Sequence, residues 1–140
     1  MTIVLDTNVI SELDGRKCSD HLLRWLNGFR KDELFLTSVA IAEIRYGLSL
    51  LPQGRRREAM TQTYDRMESG FAGRILPFAL EAAHLYGRLK AERQKAGFTL
   101  ETKDAMIAAI CLSNGATLAT RNTKDFEGLD LKLVNPFEGA

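Results

Sequence analysis

Three apolar residues in a row, Ile3-Val4-Leu5, run straight into the polar stretch Asp6-Thr7-Asn8. An unbroken apolar run predicts a strand buried on both faces of a parallel sheet. Asn8 to Leu13 predicts a short helix, and Gly15-Arg16-Lys17 a loop. Ser19 or Asp20 can cap the next helix, whose apolar face is Leu22, Leu23, Trp25, Leu26 and Phe29. Leu34-Phe35-Leu36 predicts a second strand. Thr37 or Ser38 then caps a helix that runs to about Leu51, where Pro52 stops it. A long polar helix follows from about Arg55 to Ser69, then Gly70 and Gly73. Arg74 to Phe78 predicts a third strand, left through Pro77. Ala79 to Ala96 is a second long helix with Gly97 at its end. Another helix spans about Thr102 to Asn114 and is closed by Gly115. Thr117 to Thr120 and Leu131 to Val134 are the fourth and fifth strands. Strands alternating with helices predict an α/β fold, a parallel sheet of about five strands sandwiched by helices.

Asp6 follows the first strand directly, so it should stand at that strand's carboxyl end, where open α/β sheets bind ligands. It can equally cap the helix that begins there. Asp104 opens an otherwise apolar run, Ala105 to Leu112, which is a helix buried nearly all round. The helix start favours an anion. A carboxylate set beside a core is costly unless it is paired or binds a cation. Glu101 is assigned to the preceding loop or cap, and Lys103 to solvent. Glu43 sits at the margin of the stripe formed by Ile41, Ile44, Leu48 and Leu51, one turn from Gly47, which leaves room beside it. It can also snorkel to water. Asn122 and Asp125 follow the fourth strand, in a segment that otherwise reads as a turn into a short helix. Arg121 and Lys124 there are candidates to face phosphates, Arg121 being the one assigned to substrate.

A carboxylate cluster is unstable through mutual repulsion unless protons or cations intervene. Oxygen ligands suit hard ions such as Mg²⁺ or Mn²⁺. A site of that kind polarises a phosphodiester and activates water.

Composition narrows the classes. The 140 residues suit one domain, 1–140, and carry 45% hydrophobic and 26% charged side chains. With 19 basic and 18 acidic side chains the formal net charge is +1, so there is no general nucleic-acid footprint. Any polyanion must be met by a local arrangement. Cys18 and Cys111 read as reduced thiols. No apolar run reaches a membrane span and no signal peptide precedes the first strand, so a cytoplasmic protein with no membrane partner is the expectation. His21 and His84 are isolated, which speaks against zinc or a His-activated nucleophile. Arg55-Arg56-Arg57 and the set Arg88, Lys90, Arg93 and Lys95 read as solvated helix faces. Trp25, Leu26 and Phe29 read as helix packing, or as a seat for a partner.

Taken together, Leu5 to Glu12, Ala42-Glu43-Ile44 with Tyr46-Gly47, Phe71 to Phe78, Asp104 to Ala109, Ala119 to Asn122 with Asp125-Phe126, and Val134 to Phe137 resemble the PIN-domain ribonucleases. The closer likeness is to the VapC-like toxins and their FitB-like subgroup, and it spans essentially the whole chain. The resemblance implies a PIN-like three-layer fold and Mg²⁺- or Mn²⁺-dependent endoribonuclease activity; in-line attack by a metal-bound water would then leave a 5′-phosphate and a 3′-hydroxyl. It implies a homodimer held inactive by a VapB-like antitoxin, with structured RNA, often transfer RNA, as substrate. By motif, Asp6, Glu43 and Asp104 match the acidic catalytic and metal site. Some relatives have an acid where this chain has Asn122, so either three acids suffice or Asp125 contributes. Two other readings stand beside this one: a phosphoryl-transfer or phosphoacceptor domain using Asp6, and a non-catalytic interaction module.

Overall fold

The computed structural model describes residues 1–14 and 18–138; the loop expected at Gly15-Arg16-Lys17 lies outside them. The strands are β1 (Ile3–Leu5), β2 (Leu34–Thr37), β3 (Ile75–Leu76), β4 (Thr117–Ala119) and β5 (Leu133–Val134). All pair in parallel, in the order β3-β2-β1-β4-β5. The helices are α1 (Thr7–Asp14), α2 (Asp20–Asn27), α3 (Ser38–Leu50), α4 (Arg55–Gly70), α5 (Leu80–Lys95) and α6 (Thr102–Ser113).

The apolar run of β1 is central, as its composition demands. Ile3 lies opposite both Leu34 of β2 and Thr117 of β4. Its side chains alternate between two cores. Ile3 and Leu5 pack with Val9, Ile10, Leu22, Leu36 and Ala40, beneath α1 to α4. Val4 packs on the opposite face with Ile107, Ala108, Cys111, Leu118 and Phe126. A third cluster joins α5 to α6 through Ala82, Leu89, Ala105, Ala109 and Ile110. Each large aliphatic buried this way contributes roughly 1.5–3 kcal/mol. Helices therefore cover both faces of the sheet, in three layers.

Chain reversals follow the local chemistry. Ser19 caps α2, its Oγ accepting the Leu22 N–H at 3.1 Å. Thr37 caps α3 through the Ala40 N–H at 3.0 Å. Gly97 and Gly115 take φ of +86° and +61° just after α5 and α6, which other residues rarely adopt. Three strands are shorter than the sequence suggests, β4 by Thr120 alone. β3 is limited to Ile75–Leu76 because Pro77 has no N–H to donate and the Arg74 N–H is turned back to the Phe71 carbonyl. β5 is limited to Leu133–Val134 at the sheet's edge, although the Lys132 carbonyl still accepts from Leu118. On α2, Leu23 faces outward and is 43% exposed, while Trp25 meets Phe29, just past the helix end, edge to face at 4.9 Å, and both pack on the core.

The strand order reverses direction at β1. Its two neighbours, β2 and β4, lead to opposite halves of the sheet, so the loops after β1 and β4 splay apart. That is where such sheets open a crevice.

Candidate functional site

A cleft of about 520 Å³ occupies this edge. Its walls carry Asp6, Thr7 and Asn8 from the end of β1, Glu43 from α3, Glu101, Lys103 and Asp104 from the start of α6, and Asn122 and Asp125 after β4. Four separate elements therefore deliver every acid singled out in the sequence to one place.

Asp6 is only 4% exposed. It stands directly after β1, at that strand's carboxyl end. Its Oδ1 accepts the Thr7 N–H at 2.8 Å where α1 begins, and its carboxylate also faces the cleft. Its Oδ2 accepts the Thr120 hydroxyl at 2.8 Å. Thr120 is wholly buried, and its oxygen in turn accepts from Asn8 Nδ2 at 3.2 Å and from the Asn122 N–H at 3.1 Å. With two donors aimed at it, the hydroxyl has its single hydrogen free only for Asp6. Asn8 completes the frame by accepting the Arg121 N–H at 3.1 Å. Burial pushes the Asp6 pKa up; the bonds from Thr120 and Thr7 and the charge of Lys103 oppose that, and Glu43 adds to it.

Asp104, in the first turn of α6, is 8% exposed. Burial raises its pKa to about 6. Lys103 works against that shift, while Asp6, Asp125 and Glu101 add to it. Asp104 is thus held among like charges, with the amino end of α6 the one favourable dipole.

Glu43 reaches the cleft because Thr37 fixes the start of α3 and α3 packs against α6. Its Oε2 lies 2.7 Å from the ammonium of Lys103, which is also 3.8 Å from Asp104 Oδ1. Lys103 is therefore not the solvated charge expected of it. A Cβ added at Gly47, one turn along α3 from Glu43, would meet nothing within 4 Å.

Arg121 stands elsewhere. Its guanidinium lies 3.9 Å from the ring centroid of Phe137 and 3.7 Å from Glu12 Oε1. Neither it nor Lys124 is among the residues lining the cleft. His21 and His84 also lie outside it. Two of the basic side chains expected to be solvated hold the chain instead: Lys90 donates to the Leu100 carbonyl at 2.6 Å, and Arg93 stacks on Phe98 at 4.3 Å. Cys111 is buried in the core, as expected, and burial pushes its thiol pKa well up.

The donor set suits a hard divalent cation. Asp6, Glu43 and Asp104 offer only carboxylate oxygens, and Asn122 an amide. The strained charge of Asp6 and Asp104 is the kind a cation relieves. Thr7 Oγ1, buried in the same wall, has no hydrogen-bond partner. As the side chains stand, no three acid, His or Cys groups among the described residues are gathered tightly enough to hold an ion, and Glu43 is engaged by Lys103.

A parallel sheet with carboxylates converging at its carboxyl edge is the arrangement expected from the PIN-domain likeness, and the chain belongs to the PIN-domain family, whose profile matches residues 3–131. Among individual proteins it is similar to the VapC ribonuclease Y4jK of Sinorhizobium fredii, at 39% identity over 142 residues, covering 99% of each chain. It is also similar to the toxin FitB of Neisseria gonorrhoeae, at 32% identity over 96% of this chain and 98% of that protein. The solved structure of FitAcB from Neisseria gonorrhoeae superposes with a TM-score of 0.91 at 31% identity, covering 99% of this chain and all of that one. No helix among the described residues is long and apolar enough to cross a membrane.

Proposed function

We propose that the chain is an endoribonuclease toxin of the VapC and FitB kind, a single domain over residues 1–140 that hydrolyses RNA phosphodiesters with Mg²⁺ or Mn²⁺. Its reading as a cytoplasmic homodimer restrained by an antitoxin protein goes with that assignment. The observation that carries it is the delivery of Asp6, Glu43, Asp104, Asn122 and Asp125 into one cleft from four separate elements. The names of the similar proteins, a VapC ribonuclease and the toxin FitB, support it.

Asp6 and Asp104 would hold the ion, with Glu43 as a further ligand or as the group that orients the attacking water. When bound, the divalent ion supplies charge neutralisation at the phosphate and a water of lowered pKa. The protein's part is positioning. Thr120 and the Thr7 N–H fix both oxygens of Asp6, so its lone pairs point into the cleft before substrate arrives. The Lys103 charge opposes the burial of Asp104, whose pKa of about 6 leaves it ionised at neutral pH. Asn122 also lines the cleft, where its side-chain amide can donate to a phosphate oxygen. Hydrolysis then adds water across the P–O3′ bond, leaving a 5′-phosphate and a 3′-hydroxyl.

Partner-free protein should cleave structured RNA, transfer RNA being the first substrate to try, in Mg²⁺ or Mn²⁺ and not in chelator. Asp6→Asn should lose cleavage while keeping the folded circular-dichroism spectrum. Wild-type rates in Asp6→Asn, or cleavage indifferent to chelator, would defeat this function.

A further inference from the structure

We infer that Lys103 is a tethered counter-cation that occupies the acid cleft in the absence of metal and sets how tightly a divalent ion binds there. This rests on the metal-site reading above and goes beyond it.

Lys103 is the one basic side chain among the residues lining the cleft, against five acids. Its ammonium spans two elements, 2.7 Å from Glu43 on α3 and 3.8 Å from Asp104 on its own helix. The placement is unfavourable for α6 itself. Lys103 lies in the helix's first turn, where the macrodipole disfavours a cation. Something other than helix stability must offset that cost, and the surrounding carboxylates do. The side chain remains 35% exposed, so its flexible stem has a route out to solvent.

An ammonium 2.7 Å from Glu43 Oε2 repels a divalent ion entering the same cleft. Metal entry must therefore work against that positive charge or move it aside, and either subtracts from metal affinity. Without metal, the same ammonium offsets part of the repulsion between Asp6, Glu43 and Asp104. Lys103 thus makes the fold less dependent on metal and the site less avid for it.

The test uses the full chain, partner-free and stripped with chelator, with Mn²⁺ as the probe. Mn²⁺ dissociation constants would be read by paramagnetic resonance of the free ion, and thermal midpoints by circular dichroism in chelator. Lys103→Met keeps a long helix-forming side chain without charge, and Lys103→Arg keeps the charge. The expected result is that Lys103→Met binds Mn²⁺ roughly three- to tenfold more tightly than wild type, with Lys103→Arg close to wild type. In chelator the Lys103→Met midpoint should fall by roughly 1–4 °C, and Mn²⁺ should restore it. Equal or weaker Mn²⁺ binding by Lys103→Met overturns the inference alone, because wild-type binding would still stand. Absence of Mn²⁺ uptake by wild type and Lys103→Met alike overturns the metal site and this inference with it.

Discussion

The Thr120 hydroxyl gives its only hydrogen to Asp6 Oδ2, at 2.8 Å, because the Asn8 amide and the Asn122 N–H already occupy its oxygen. One buried hydroxyl therefore connects the ends of β1 and β4 and fixes the carboxylate between them. Removing it strands three polar groups at once. Thr120→Val, nearly the same size, should destabilise the fold by about 1–3 kcal/mol in urea titration and slow RNA cleavage. Thr120→Ser, which retains the hydroxyl, should recover most of both. Equal stability of the Val and Ser variants would show that the hydroxyl frame is not holding the site.

Asp104 gives the pH dependence its sign. Burial lifts its pKa from 3.8 to about 6, so between those values the folded chain binds a proton that the unfolded chain has released. Its contribution to stability therefore falls as pH rises through that window, and the penalty is complete above it. In chelator, Asp104→Asn should raise stability by about 1–3 kcal/mol near neutral pH, and the gain should vanish near pH 4. Thermal melts of the two proteins across pH check both ends. Divalent-ion binding should weaken as pH drops through about 6, since the ion competes with that proton.

Arg121 is engaged by Phe137 and Glu12 rather than by the cleft. Arg121→Ala should cost about 0.5–1.5 kcal/mol of stability through the lost stacking and ion pair. Its KM for RNA should stay at the wild-type value. A raised KM with unchanged stability would instead place this guanidinium on substrate.

Asp125 lines the cleft and pushes the Asp104 pKa up, whereas Asn122 carries no charge. Asp125→Asn should therefore lower the Asp104 pKa, seen by carbon-detected NMR titration of the side-chain carboxyl. Asn122→Ala should leave that titration in place.

The acids could be singled out because each stands at a marked place in the apolar pattern. Asp6 ends an apolar strand, Asp104 starts an apolar helix, and Glu43 borders an apolar stripe beside a glycine. The sheet order could not be read this way, since it depends on which strands meet across long connections. Nor could Lys103. Its neighbour on the sequence is Asp104, but its ion pair is with Glu43, sixty residues away, and only the packing of α3 on α6 brings the two together. Thr120 looked like the last residue of a strand; its role depends on one acceptor and two donors from the segments after β1 and β4. Arg121 read as a phosphate contact because its polar segment follows the fourth strand, at that strand's carboxyl end, yet its side chain stacks on Phe137.

Asp6 and Asp104 should share one divalent ion. Crystals of the partner-free protein soaked in Mn²⁺ and measured for anomalous scattering test it directly. The account predicts one strong anomalous peak within bonding distance of both carboxylates, lost in Asp6→Asn. A cleft without that peak at saturating Mn²⁺, or a peak touching neither carboxylate, would contradict it.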